Sequence, residues 1–127
     1  MLIGEFSRQT NLTIDTLRYY EEVGLLQPLR TAGNRRQYQT KDIAWVNFLK
    51  RLKQTGMSIQ NMQYYAQLRY AGNQTIPERL LLLQEQETRL DTLMAETQAS
   101  LDFLHQKMAT YREMQKANLP EHYNPEV

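Results

Sequence analysis

Few residues of this chain suit covalent or metal chemistry. Its 127 residues include no cysteine and two histidines, His105 and His122. That composition removes disulfides, thiolate nucleophiles, zinc–thiolate centres and thiol redox sensing together. The sequence shows no nucleophile–base set, no metal-ligand cluster and no phosphate-binding glycine loop. We therefore expect no catalytic residue, no metal site and no cofactor, and His105 reads as an exposed helix residue. What the chain does carry is positive charge, unevenly placed. Residues 1–70 hold ten Lys or Arg against five Asp or Glu, a net +5. Residues 71–127 hold five against nine, a net −4. A basic half joined to an acidic half points the first half toward a polyanion. Ordinary charge scatter gives the same split often enough that spacing must decide.

The elements that would position these groups are helical. Ile3 to Thr10 reads as a short helix with Ile3, Phe6 and Ser7 inward. Asn11 tolerates the left-handed conformation of a tight turn, and Thr13 is a good N-cap for a second helix. The apolar stripe of that helix is Ile14, Leu17, Tyr20 and Val23, with Gly24 at the C-terminal cap. Asp15, Thr16, Arg18, Tyr19 and Glu22 lie on its outer face. Two short helices joined by about three residues have helix-turn-helix spacing. On the outer face Arg18 is a fork donor and Tyr19 a rigid hydroxyl carrier, while Thr13 and Thr16 lie early enough to approach base edges or phosphate. The alternative for Arg18 is a surface ion pair with Glu22.

Ala32-Gly33-Asn34 is a turn signal between Pro28-Leu29-Arg30 and Arg35-Arg36-Gln37-Tyr38, which fits a small β-hairpin. Thr40 is a possible cap for a third helix with Ile43, Val46, Leu49 and Leu52 at helical spacing. Ser58 is a possible cap for a fourth with Ile59, Met62, Tyr65 and Ala66 on one face. Trp45 and Phe48 read as packing between these helices. Ala71 to Gln74 is a short linker.

Thr75 and Glu78 then form a capping-box pattern with Pro77 in the first turn. No Gly or Pro follows until Pro120. Heptad spacing runs through Ile76, Leu80, Leu83, Glu87, Leu90, Met94, Thr97, Leu101, Leu104, Met108 and Tyr111, apolar or aromatic except at Glu87 and Thr97. That is a coiled-coil seam. About 40 residues at 1.5 Å each make a rod of roughly 60 Å. A 70-residue domain cannot cover such a rod, so a partner helix is needed, and dimerisation through Leu80, Leu83, Leu90, Met94, Leu101, Leu104 and Met108 is expected. The domain division is therefore 1–70, 75–116 for the dimerisation helix, and an irregular tail over 117–127. There is no apolar run of about 18 residues and no leader pattern at the N-terminus, so a soluble cytoplasmic protein is expected.

Leu17 to Leu26, LRYYEEVGLL, closely resembles the second helix and following turn of the MerR family of bacterial transcription regulators. The resemblance runs from Ile3-Gly-Glu-Phe-Ser through the Arg30-to-Tyr38 hairpin and into TKDIAWVNFLKRLKQTGMSI, Thr40 to Ile59. It implies a mainly α fold: a winged helix-turn-helix domain followed by a long helix that forms an antiparallel coiled coil with the partner subunit. It implies that the second helix enters a major groove of double-stranded DNA. Arg36 and Tyr38 match the family's wing Arg-x-Tyr and are assigned to phosphate contacts, with Arg30, Arg35 and Lys41 adding charge. The implied function is a homodimeric, sequence-specific regulator. It would bend and untwist a promoter with an overlong spacer for RNA polymerase, under a small-molecule effector the sequence does not name.

The chain departs from the family's sensors. Metal-sensing members use cysteines near the end of the long helix, and multidrug-sensing members add a ligand domain that is not expected here. The Trp45-to-Ile59 segment looks most like the aldehyde- and electrophile-responsive branch, whose third helix often carries a cysteine where Arg51 stands. The rival class is a coiled-coil protein whose basic half binds an acidic protein. The helix-turn-helix spacing and the wing Arg-x-Tyr argue against it.

Overall fold

The computed structural model describes residues 1–118 and 120–122. Its elements are α1 (Ile3–Thr10), α2 (Ile14–Glu22), β1 (Leu29–Arg30), β2 (Arg36–Gln37), α3 (Thr40–Gln54), α4 (Ile59–Ala71), a 3-10 turn (Asn73–Thr75) and α5 (Ile76–Ala117). β1 and β2 pair antiparallel, Leu29 with Gln37 and Arg30 with Arg36. The fold is mainly helical, with a two-stranded wing and a long C-terminal helix. Among the described residues, no helix is long and apolar enough to cross a membrane.

The local chemistry explains where these elements begin and end. Asn11 takes the left-handed conformation, φ 57°, that turns α1 into α2. The Thr13 hydroxyl accepts the Thr16 N–H at 3.1 Å and caps α2. Gly24 follows α2 at φ 86°, where a side chain would be strained. Ser58 caps α4 in the same way through Asn61 N. Two caps differ from expectation. Gln39, not Thr40, precedes α3, and its N–H is accepted by Asp42 Oδ2 at 2.8 Å in a capping box. Thr75 does not cap α5. Its buried hydroxyl donates to the carbonyls of Leu68 at 2.5 Å and Gly72 at 2.8 Å, tying the 3-10 turn to the end of α4.

The core lies where α1, α2, α3 and α4 meet. Phe6, Leu17, Leu25, Leu26, Val46, Leu49 and Ala66 are buried there. Trp45 packs its ring on Phe48 and Tyr65 and donates its Nε1–H to the Leu25 carbonyl at 2.8 Å. Lys50 reaches the carbonyl of Thr10, which closes the end of α1 against α3.

The chain divides into two compact units, Met1–Glu87 and the segment from Thr88 onward. The division falls inside α5 and not at the 71–74 linker. The reason is packing: Leu82 and Gln86 are buried in the first unit, and Gln86 Nε2 donates to the Thr55 carbonyl at 2.7 Å. The first three turns of α5 therefore belong to the wing-bearing body. Beyond Thr88 the described residues of the helix are exposed apart from Leu90, Lys107 and Met114, and Met94, Leu101, Leu104 and Met108 of the heptad seam are among the exposed ones. Leu80 and Leu83 are exposed and Leu90 half-buried, and Leu81, Leu93 and Phe103 are exposed apolar residues outside the seam. Of the irregular tail expected over 117–127, Ala117 ends α5 and Asn118 turns left-handed at φ 51°; Leu119 and 123–127 lie outside the described residues.

Candidate nucleic-acid interface

One face of α1, the N-terminal half of α2 and the wing enclose an open groove of about 730 Å³. Five arginines line it: Arg8, Arg18, Arg30, Arg35 and Arg36, with Glu5 the one acid. Sequence reasoning named four of these and missed Arg8 as a site residue. The signal was present, since Glu5 and Arg8 are three apart on the face of α1 opposite the buried Phe6.

Helix α2 presents Thr13, Arg18 and Tyr19 to solvent, with Thr16 half-buried. The Thr13 hydroxyl is held by its capping role and by donation to Thr16 Oγ1 at 2.9 Å. Among the described residues Arg18 forms its ion pair with Asp15 and not with Glu22; at 3.9 Å it is long and solvent-exposed on both sides. Such a pair contributes little and leaves the guanidinium available. Tyr20, on the opposite face, is buried as expected, and burial followed by the neighbouring Tyr19 pushes its hydroxyl above the usual value near 10.

The wing is held to α2 by one carboxylate. Glu21 accepts from Arg30 Nη2 at 2.5 Å through Oε1 and from Arg36 Nε at 2.7 Å through Oε2. The Glu21 side chain is 20% exposed and that of Arg36 26%. Arg36 thus spends its Nε–H on Glu21 and keeps its two terminal amino groups for another acceptor. Arg35, at the tip, is exposed. Glu21 was not singled out in the sequence. Only the fold reveals it, because Arg36 lies 15 residues away.

Tyr38 requires a correction. It is 1% exposed, and its ring stacks on Phe6 at 4.1 Å with an interplanar angle of 5°. Its hydroxyl is buried with no hydrogen-bond partner among the described residues. Burial first, then the Glu21 carboxylate, raises its ionisation above the usual value near 10. In this arrangement the residue is core, and it offers no surface to a phosphate. The wing Arg-x-Tyr thus pairs one surface donor with one anchor: Arg36 lies in β2, and Tyr38, just past the strand end, packs into the core on Phe6. Lys41 is also displaced from the expected cluster. It is exposed at the start of α3 and lines a separate cavity with Arg69 and Arg79.

An exposed second helix of a helix-turn-helix, flanked by an arginine-bearing hairpin, defines a winged-helix DNA-binding domain. Residues 1–68 match the family model of the MerR HTH family regulatory protein. An uncharacterized HTH-type transcriptional regulator of Haemophilus influenzae is 34% identical over 113 residues, 84% of each chain. The HTH-type transcriptional regulator AdhR of Bacillus subtilis is 37% identical over 91 residues, 71% of this chain and 65% of that protein. Among solved structures, HiNmlR, a MerR family regulator lacking the sensor domain and bound to promoter DNA, aligns with a TM-score of 0.69 at 30% identity. That alignment covers 91% of this chain and 92% of the other. A MerR family protein from Listeria monocytogenes aligns with a TM-score of 0.74 at 28% identity, over 93% and 96% of the two chains. The chain belongs to the MerR family. It is a transcription regulator that binds DNA, and the family is not one of enzymes.

Proposed function

We propose that the protein acts as a homodimer whose paired α5 helices set two winged-helix domains on the half-sites of one promoter. The observation that carries this reading is the open heptad seam. Leu80, Leu83, Met94, Leu101, Leu104 and Met108 are large apolar side chains exposed on one continuous helix, with Leu90 between them. Burying such a side chain is worth about 1.5–3 kcal/mol, so a second copy with the same seam has a strong drive to pair. An antiparallel pairing follows the family resemblance.

On DNA, Thr13, Thr16, Arg18 and Tyr19 face the base edges and their flanking phosphates. Arg8, Arg35 and the free end of Arg36 hold the backbone. The likeness to HiNmlR, whose structure holds promoter DNA, supports promoter binding. The regulatory step in this reading is bending and untwisting of a promoter with an overlong spacer, which brings both promoter elements to RNA polymerase. Backbone contacts by the wings supply part of the deformation energy. The site of action is the cytoplasm, where promoter and polymerase meet.

The test is sedimentation of the free protein together with footprinting on the DNA flanking its own coding region. A dimer at micromolar concentration and two protected half-sites around a hypersensitive centre are expected. A monomeric protein, or protection of a single half-site without distortion, overturns the reading.

A further inference from the structure

A second cavity opens where the wing root, the start of α3, the end of α4 and the start of α5 meet. It measures about 450 Å³ and shares no lining residue with the arginine groove. That volume lies within the roughly 300–1,000 Å³ of small-molecule sites. Three cations line it, Lys41, Arg69 and Arg79, against one carboxylate, Asp42. The Asp42 carboxylate already accepts the Gln39 N–H in the α3 capping box.

The two arginines are held in place without neutralisation, and Lys41 is exposed at the rim. The Arg69 guanidinium lies 4.4 Å from the Trp45 ring centroid and 4.9 Å from that of Tyr70. Stacking fixes its plane and leaves its N–H edges as donors. Arg79 donates one terminal N–H to the Gly72 carbonyl at 3.3 Å. Its Nε–H is buried and has no acceptor among the described residues. A buried donor of this kind costs stability unless something accepts from it. The Tyr70 hydroxyl accepts the Gln27 N–H at 3.1 Å and keeps its own proton to donate. No acid pairs with Lys41, Arg69 or Arg79 among the described residues. The set is a fork donor, a second fork donor, a point charge and a hydroxyl around one space.

We propose that this cavity binds a phosphate group, with Arg79 and Arg69 donating to its oxygens and Lys41 supplying charge. The site is separate from the arginine groove, and a small phosphorylated molecule in solution is the favoured source. The phosphate of a DNA backbone has the same chemistry, and the two are told apart by experiment.

The full chain is titrated with inorganic phosphate at constant ionic strength, with chloride as the control, and followed by the arginine Nε–H signals in nitrogen-15 NMR. A saturable shift of the Arg79 and Arg69 signals is expected. Arg79→Gln should weaken phosphate binding at least tenfold while leaving affinity for a random-sequence duplex unchanged within twofold. Lys41→Gln, at an exposed position, should weaken phosphate several-fold even if Arg79→Gln fails to fold. If the free protein shows no saturable shift but Arg79→Gln makes the salt slope of duplex binding shallower by about one unit, the phosphate is that of the DNA backbone. If neither effect is seen, or if the shifts persist undiminished in both variants, the cavity is not a phosphate site.

Discussion

Glu21 of α2 accepts a hydrogen bond from Arg36 of β2 at 2.7 Å, and with its other oxygen it holds Arg30 of β1. One carboxylate thus sets the angle between the recognition helix and the wing. Glu21→Gln keeps the shape but removes the charge that holds both arginines. We expect affinity for random DNA to rise, because a negative charge leaves the interface. Discrimination between operator and random DNA should fall about tenfold, because charge-assisted bonds of roughly 1.5–3 kcal/mol hold the wing. Competition gel shifts on both DNAs check this. Unaltered discrimination means that Glu21 does not position the wing.

Arg18 and Arg36 should fail differently. Arg36→Ala is expected to weaken operator and random DNA about equally and to make the salt slope shallower by about one unit per wing engaged. Arg18→Ala should lose more on the operator, by about 1–3 kcal/mol per half-site if it reads a base directly. Affinities for both DNAs at two salt concentrations separate the two. Equal losses for both mutants would move specificity to Thr13, Thr16 and Tyr19.

The seam can be broken at two of its leucines beyond Thr88. Truncating a buried Leu costs about 2–5 kcal/mol. Leu90→Ala with Leu101→Ala should therefore convert a dimer to monomers at micromolar concentration, read by light scattering. The body before Thr88 should keep its helical signal. A double variant with unchanged mass would show that the dimer, if formed, uses another surface.

Tyr38 offers a clean separation of core from contact. Tyr38→Phe removes an unpartnered buried hydroxyl and keeps the stack on Phe6. Stability should be unchanged or higher by up to about 1 kcal/mol, with DNA affinity and salt slope intact. Tyr38→Ala should cost about 3–5 kcal/mol. Urea melts and DNA titrations of the two variants decide it. A shallower salt slope for Tyr38→Phe would restore the hydroxyl to the phosphate.

Alkaline pH should unfold the protein through its tyrosines. Burial raises Tyr20, Tyr38 and Tyr70 above the ordinary value near 10. Below that value both folded and unfolded states are protonated, and the three contribute no pH dependence. Above it the unfolded chain releases its protons first, so stability falls as pH rises through the folded-state values. Urea midpoints measured from pH 9 upward should decline. Tyr38→Phe and Tyr70→Phe should each flatten the decline, and a flat wild-type profile would refute the assignment.

Much of this molecule was legible in the chain because the deciding forces are local. Asn11, Thr13, Gly24 and Ser58 act within a turn of their own position, and each performs its expected cap or turn. The apolar periodicity of Leu17 and Tyr20, and of Val46, Leu49 and Leu52, states which face is buried, since helical geometry repeats every 3.6 residues. The arginines of the wing and of α2 were visible as surplus charge. What the sequence could not show is which of these groups are neutralised or buried by residues far along the chain. Glu21 meets Arg36 across 15 residues, Tyr38 lands on Phe6 across 32, and Gln86 reaches Thr55 across 31. Those meetings turn one predicted phosphate donor into core, fasten another to a carboxylate, and move the boundary of the body into α5. They arise because compact packing places distant side chains within a few ångströms, and only tertiary structure specifies which ones meet.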